Sequence, residues 1–143
     1  MEDEKIYHHE IYLLYRVYHV FVIYVYYDEG NANVIVTTGG RTYQIKSTAI
    51  NSLVSQKGSN GAPSTAAFSG KAVITDITDP AAPVTVDGNA LLQITMTDNG
   101  EPGSNDTVAF TLWDKHGALS YSSDWTGTKT VEQALAGGNL QVR

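Results

Sequence analysis

Residues 6–27 read IYHHEIYLLYRVYHVFVIYVYY, a run unlike the rest of the chain. Fifteen of these twenty-two residues are β-branched or aromatic, seven of the nine tyrosines lie here, and Gly, Pro, Asn, Ser and Ala are absent. β-Branched and aromatic side chains lose rotamer freedom in a helix and pack well on a pleated surface. Alternate residues from Tyr7 to Tyr27 form one nearly all-apolar face, so the pattern predicts a long aromatic β-strand segment.

The length of this segment limits where it can lie. Twenty-two extended residues span roughly 70 Å at about 3.3 Å per residue, whereas a compact domain made of the other residues has a diameter of roughly 35 Å. The segment is therefore a bent core strand or two strands within its own domain, a strand donated to a neighbouring subunit, or a membrane-associated helix. The residues expected to form an assembly strand are Ile11, Leu13, Tyr15, Val17, Phe21, Ile23 and Val25.

The composition of the chain limits its partners. The 143 residues carry a net charge of −6 without the basic stripe that nucleic-acid backbones require, so no nucleic-acid partner is expected. Cysteine is absent, which excludes disulfides, thiolate catalysis and cysteine-ligated zinc. Residues 1–4 are acidic where a secretory signal is basic. The run from Ile11 to Tyr27 has seventeen residues and carries Arg16 and His19, so a membrane span is not expected either.

The remaining residues show short strand signals separated by turn residues, which is typical of an all-β sandwich. The strand signal that starts at Val34 runs into a Gly-Gly pair at 39–40, and Asp87-Gly88 is a hairpin signal before the alternation from Ala90 to Thr97. The expected core residues are Leu92, Ile94, Val108, Phe110, Leu112 and either Val73 or Ile74.

A helical turn is predicted near the end of the chain. Residues 130–133 have the spacing of a capping box, and Gly137-Gly138 follows as a stop signal. The predicted fold is therefore an antiparallel β-sandwich of about eight short strands with one helical turn, plus the aromatic segment. Two parts are expected: residues 1–30, with the acidic start and the strand segment, and residues 31–143, the β-sandwich domain.

Several short motifs of the body point to a known kind of module. They are the Gly-Gly pair at 39–40, residues 68–72 (FSGKA), 86–90 (VDGNA), 97–103 (TDNGEPG), 112–115 (LWDK) and 137–140 (GGNL). Together, over about residues 34–143, they resemble β-rich modules near the C-termini of large secreted and surface-displayed bacterial proteins. This resemblance implies an extracellular or cell-surface location and an accessory or structural role without a cofactor.

No constellation of residues indicates catalysis. His116 is the single histidine of the body and lies next to a glycine. The carboxylate pairs Asp76 with Asp79 and Asp98 with Glu101 lie in turns, where Asp is favoured because it hydrogen-bonds to the backbone. No Gly-rich phosphate loop opens a helix. We therefore expect that the chain is not an enzyme.

Two binding sites remain as alternatives. Calcium takes six to eight oxygen ligands, which an acidic loop containing Asp98, Glu101 and Asp106 could supply in part. Carbohydrate sites use exposed aromatic rings beside polar groups, and three aromatic residues lie close in sequence beside aspartates. This predicted ligand platform consists of Trp113, Tyr121 and Trp125.

The preferred function is structural. Burying about fifteen large apolar side chains at roughly 1.5–3 kcal/mol each contributes tens of kcal/mol before entropy is subtracted. We therefore predict a non-catalytic extracellular subunit, a homo-oligomer that assembles through residues 6–27 into a fibre or surface array. The alternative is a calcium- or carbohydrate-binding adhesion module of a bacterial surface protein, with a surface glycan as partner.

Overall fold

The structure is a computed structural model that describes residues 8–15, 19–26, 31–99, 106–134 and 137–138. The described residues form a single antiparallel sheet of ten strands, and none of them is helical. In chain order the strands are β1 (His8–Tyr15), β2 (His19–Tyr26), β3 (Asn31–Thr38), β4 (Arg41–Gln56), β5 (Ser64–Asp76), β6 (Val84–Asp98), β7 (Thr107–Trp113), β8 (Leu119–Ser122), β9 (Gln133–Ala134) and β10 (Gly137–Gly138). Across the sheet the order is β10-β1-β2-β3-β4-β5-β6-β7-β8, and β9 pairs with β7.

The last two strands draw the two ends of the sheet together. β9 pairs with β7 and β10 pairs with β1, yet only residues 135 and 136 lie between them in the sequence. Because a chain advances by at most about 3.3–3.6 Å per residue, Ala134 and Gly137 lie within about 11 Å of each other. The sheet must therefore curl, and it forms a half-barrel.

The core lies on one face of β3 to β7. Apolar residues alternate along these strands, so every second side chain points to the same face. The large buried apolar residues are Val34, Val36, Ile45, Phe68, Ile74, Leu92, Ile94, Met96, Val108, Phe110 and Leu112. The predicted core is confirmed, and of the two neighbours Val73 and Ile74 it is Ile74 that is buried.

The aromatic segment contains two strands in place of one long strand. β1 and β2 pair antiparallel, from His8 opposite Tyr26 to Tyr15 opposite His19, and β2 pairs in turn with β3. The register sets Ile23 opposite the buried Val34. Six of the predicted assembly residues lie in these rows, and Val17 lies outside the described residues. The six are Ile11, Leu13, Tyr15, Phe21, Ile23 and Val25.

Two finer expectations about the body are not confirmed. All ten strands belong to one sheet, so the two-sheet sandwich is not found in the part of the chain that the structure describes. The helical turn at residues 130–133 is also not found, because Thr130 forms an antiparallel bridge with Trp125 and Gln133 begins β9. A single helical turn makes few hydrogen bonds of its own, whereas pairing with β7 satisfies backbone groups at a sheet edge.

The Asp87-Gly88 pair forms a bulge where a hairpin was expected. β6 runs without a break through this pair, and the chain reverses earlier, at residues 77–83. Between the pairs Ala72–Ala90 and Ile74–Asp87, β6 contains one residue more than β5. A two-residue turn and a bulge share the same local sequence signal, so the pairing of the neighbouring strands selects between them.

The Asp87 carboxylate fixes this bulge. It is only 7% exposed, and its two oxygens accept hydrogen bonds from the backbone N–H groups of Asn89 and Lys115, both at 2.8 Å. The hydrogen bond from Asn89 is the main reason why the pKa of Asp87 lies below its usual value. Burial opposes this shift, and the N–H of Lys115 adds to it. Asp87 therefore joins the bulge of β6 to the turn that follows β7.

Replacing Asp87 with Asn is expected to lower the free energy of unfolding by about 1–3 kcal/mol, because the amide keeps one acceptor oxygen and leaves a buried backbone N–H without a partner. Urea unfolding near neutral pH measures this loss. Asp79→Asn is the matched control, since Asp79 is exposed and accepts a turn hydrogen bond from the N–H of Ala81.

The role of the Asp87 carboxylate can also be tested by comparing the wild type and Asp87→Asn at different pH values. The folded-state pKa of Asp87 is lowered, so its contribution is fully present above an unfolded-state pKa of about 4 and is lost as the pH falls through the folded-state value. The stability difference between the wild type and Asp87→Asn should therefore narrow in acid. A difference that stays constant down to about pH 2 would contradict this role of the carboxylate.

Candidate functional site

Between β8 and β9 the chain leaves the edge of β7 and returns to it. β8 pairs with one end of β7 and β9 with the other end, both antiparallel. The intervening residues 124–131 form an excursion that we call the Trp125 hairpin. Its base is closed by a hydrogen bond from the N–H of Val131 to the carbonyl of Asp124, at 2.9 Å, and the side-chain amide of Gln133 donates to the Asp124 carboxylate.

The tip of the Trp125 hairpin is a tight turn. Trp125 and Thr130 pair as an antiparallel bridge, and the N–H of Thr126 donates to the carbonyl of Lys129 at 2.9 Å. Gly127 has a φ of 101°, a conformation that residues with a side chain rarely adopt. The sequence Thr-Gly-Thr-Lys at residues 126–129 therefore suits the reversal of the chain.

The Trp125 hairpin covers the outer face of β7, the face that points away from the core. Ala109 and Thr111 point outward, yet they are only 3% and 8% exposed, so β7 is buried on both faces. The hydroxyl of Thr130 lies 2.6 Å from that of Thr111 and 2.7 Å from that of Ser122. These hydrogen bonds hold the hairpin against the sheet.

A groove of about 340 Å³ lies between the Trp125 hairpin and the outer face of β5, β6 and β7. Trp113 and Trp125 meet at this groove edge to face, with ring centroids 5.8 Å apart and ring planes at 82°. The indole N–H of Trp113 donates to the side-chain oxygen of Gln93 at 2.7 Å, which fixes the orientation of the Trp113 ring. The cross-strand rows of the floor are Ala67–Thr95–Ala109 and Ser69–Gln93–Thr111.

The chemistry of the lining combines aromatic rings with hydroxyl and amide groups. Ser69, Thr95 and Thr128 contribute hydroxyls, Gln93 contributes an amide, and Lys129 is the charged residue among the described lining residues. Sites for small organic ligands pair apolar or aromatic walls with a few positioned polar groups, and this groove has both. A ring-shaped ligand with many hydroxyls fits this combination.

The structure brings two members of the predicted ligand platform together and separates the third. Trp113 and Trp125 are in contact, as described above. Tyr121 lies opposite Leu112 in the β7–β8 pairing and packs against the core, on the other face of the sheet. Neighbours along a strand alternate between faces, so closeness in sequence did not reveal which ring would point to the core.

The predicted calcium ligands lie around the connection between β6 and β7. Asp98 ends β6, Asp106 precedes β7, and Glu101 lies outside the described residues. Asp106 is fully buried and accepts a hydrogen bond from the N–H of Asn99 at 2.8 Å. In the part of the chain that the structure describes, no three His, Asp or Glu side chains are grouped to hold a metal ion. Calcium binding stays a prediction.

Sequence reasoning missed the polar part of the groove. Gln93, Ser69 and Thr95 lie on the outer faces of β5 and β6, and the alternation in each strand marks them as outward. What the alternation does not provide is the register that aligns these residues with Thr111 and Trp113 of β7.

Comparisons with known proteins do not assign the chain to a family. The chain matches no known protein family, and neither a curated protein nor a solved structure matches it. No helix among the described residues is long and apolar enough to cross a membrane.

Replacing Thr130 with Val is expected to loosen the Trp125 hairpin, because the hydroxyls of Thr111 and Ser122 lose their partner. We expect a loss of about 1–2 kcal/mol in stability and a red shift of tryptophan fluorescence as Trp125 becomes more exposed. Thr128→Val is the matched control, since Thr128 lies at the exposed tip of the hairpin, where its hydroxyl oxygen is 3.5 Å from that of Thr126. Equal stability and emission in both variants would contradict the anchoring role of Thr130.

Proposed function

We propose that this chain is a non-catalytic carbohydrate-binding module and that the groove beside the Trp125 hairpin is its ligand site. The observation that supports this most directly is the Trp113–Trp125 corner beside the hydroxyls and the amide of the sheet. The C–H face of a sugar ring stacks on an indole, while its hydroxyl groups exchange hydrogen bonds with side chains. The groove supplies both kinds of contact.

Trp125 has the properties of a ligand-contacting residue. It is 37% exposed, although burying a large aromatic side chain contributes a few kcal/mol. The backbone bridge to Thr130 and the contact with the Trp113 ring hold it in place. A rigid aromatic ring loses little conformational entropy when a ligand binds, which favours its use as a contact.

The size of the groove limits the ligand. Its volume of about 340 Å³ lies at the lower end of the range of roughly 300–1,000 Å³ that is typical of small-molecule sites. A short part of a glycan, such as a terminal mono- or disaccharide, matches this volume. The body also resembles surface modules of bacteria. The proposal therefore includes a role in adhesion outside the cell.

Trp125→Ala is expected to weaken glycan binding at least about tenfold. A glycan array first identifies a ligand, and titration calorimetry then compares the variants. Leu119→Ala is the matched control, because Leu119 is also 37% exposed but does not line the groove. The proposal fails if the wild type binds no glycan, or if Trp125→Ala binds its ligand as tightly as the wild type.

Self-assembly is the second candidate function, and the register of the N-terminal strands favours it. Tyr12 lies opposite Val22 and Val22 lies opposite Ile35 in the strand register, and Ile35 lies between the buried Val34 and Val36 along β3. A sheet face that meets water normally carries polar residues. A cross-strand row of large apolar residues is therefore suited to burial against a second copy of the chain.

This proposal keeps residues 6–27 as the assembly segment but changes the kind of contact. β2 is paired with β1 on one edge and with β3 on the other, and β1 is paired with β2 and, at Ile11 and Tyr12, with β10, so both strands already belong to their own sheet. The proposed contact is thus made by the outer face of β1–β3 and not by a donated strand. A contact that repeats without closing would build a fibre or a surface array.

Val22→Lys is expected to reduce the oligomer to a smaller species, because it introduces a charge at the centre of the apolar row. Light scattering measures the change in mass, and circular dichroism confirms that the strands are retained. Val54→Lys is the control, since Val54 is 63% exposed on β4, outside this row. A wild-type protein that is a monomer throughout the micromolar range would end this proposal.

A further inference from the structure

We propose that the groove prefers anionic glycans, with the ammonium group of Lys129 binding the negatively charged substituent; this inference rests on the proposed carbohydrate function. Lys129 is at the tip of the Trp125 hairpin and lines the groove. It is the charged residue among the described residues of the lining, in a chain whose net charge is −6. Lys129 therefore places a positive charge at the groove of a chain whose net charge is negative.

The acidic residues nearest to the two tryptophans in sequence are engaged elsewhere. Asp114 follows Trp113, and its Oδ1 accepts hydrogen bonds from the N–H groups of His116 and Ala118 in the turn after β7. Asp124 precedes Trp125, and its Oδ2 accepts a hydrogen bond from the Gln133 amide. Neither aspartate lines the groove.

Another acidic residue of this region has a structural partner as well. The carboxylate of Glu132 accepts a hydrogen bond from the hydroxyl of Thr107, at the start of β7. Thr107 pairs with Thr97, two residues along β6 from the floor residue Thr95. Glu132 is thus held beyond the floor rows and is not among the described lining residues.

The absence of carboxylates from the described lining has a chemical consequence. A neutral sugar presents many O–H donors, and carboxylates are the strongest acceptors for them. An anionic sugar presents a carboxylate or sulfate, which only accepts, and a lysine ammonium group supplies three donors and a positive charge. The described lining of the groove offers the lysine ammonium group and no carboxylate, which suits an anionic sugar.

A second lysine extends the same face. The row Lys71–Leu91–Trp113 lies next to the floor row that contains Gln93. Lys71 is exposed, and it lies two strands away from Trp113, about 10 Å at the usual strand spacing. A glycan that crosses the sheet from Trp113 towards β5 would bring a further negative group close to Lys71.

Titration calorimetry with three disaccharides of one backbone tests this inference: the neutral parent, a form with one uronic acid and a form with one sulfate. The wild type is expected to bind at least one anionic form about tenfold more tightly than the neutral parent, and added salt should reduce this preference by screening. The two anionic arms distinguish a carboxylate from a sulfate as the recognised group.

Lys129→Gln is expected to remove the preference, so that the variant binds the anionic and the neutral disaccharides with affinities within about twofold of each other. Lys57→Gln is the matched control, because Lys57 is exposed in the loop between β4 and β5 and does not line the groove. Equal affinity of the wild type for all three disaccharides, with no effect of Lys129→Gln, would overturn this inference and leave the carbohydrate function standing. Binding of none of the three, together with a silent glycan array, would overturn the carbohydrate function itself.

Discussion

The edge of β7 is the constraint on which the rest of the structure depends. One chain segment pairs with this edge through β8, leaves it as the Trp125 hairpin, and returns to it as β9. Each return satisfies backbone groups that would otherwise form an open sheet edge. The excursion folds over the outer face of β7, where it buries Ala109 and Thr111 and places Trp125 against Trp113. The groove is a consequence of how this edge is closed.

The same segment also determines the shape of the sheet. β9 and β10 are two residues apart, and they connect β7 to β1 across the open side of the sheet. The core residues of β3 to β7 therefore lie inside a curve, and the outer face is left for other contacts. The bulge at Asp87 links this curved sheet to the turn after β7 through the N–H of Lys115.

The two proposed functions use separate parts of the outer face. The groove lies over β4 to β7, with Ser52 as the β4 residue of its lining, and the apolar row of the proposed assembly contact lies on β1 to β3. Assembly would therefore leave the groove accessible. An array of copies would present many sites of modest affinity at once, and linked sites gain avidity by factors of roughly 10²–10⁴ without any new contact. In the proposed function, self-assembly would thus strengthen the binding of glycans.

Alternation along the chain was sufficient to predict strands at the positions of β3 and β7, and it predicted the core face of β6 and β7. The Gly39-Gly40 turn was predictable too, since both glycines adopt positive φ, 59° and 77°, as a two-residue hairpin requires. These features are local, because an alternation of apolar and polar residues, or a turn that needs two glycines, depends on a few adjacent residues.

Sequence alone therefore determined that this is an all-β protein, which residues face inward along β6 and β7, and that two tryptophans were candidates for a ligand site. Only the tertiary structure decided that one curled sheet forms in place of a sandwich, that Asp87-Gly88 is a bulge, and that Tyr121 belongs to the core while Trp125 meets Trp113. The physical reason is that these outcomes depend on register and pairing between distant strands. A strand's own residues specify its two faces, but the partner strand decides which residues of the other chain segments lie opposite them.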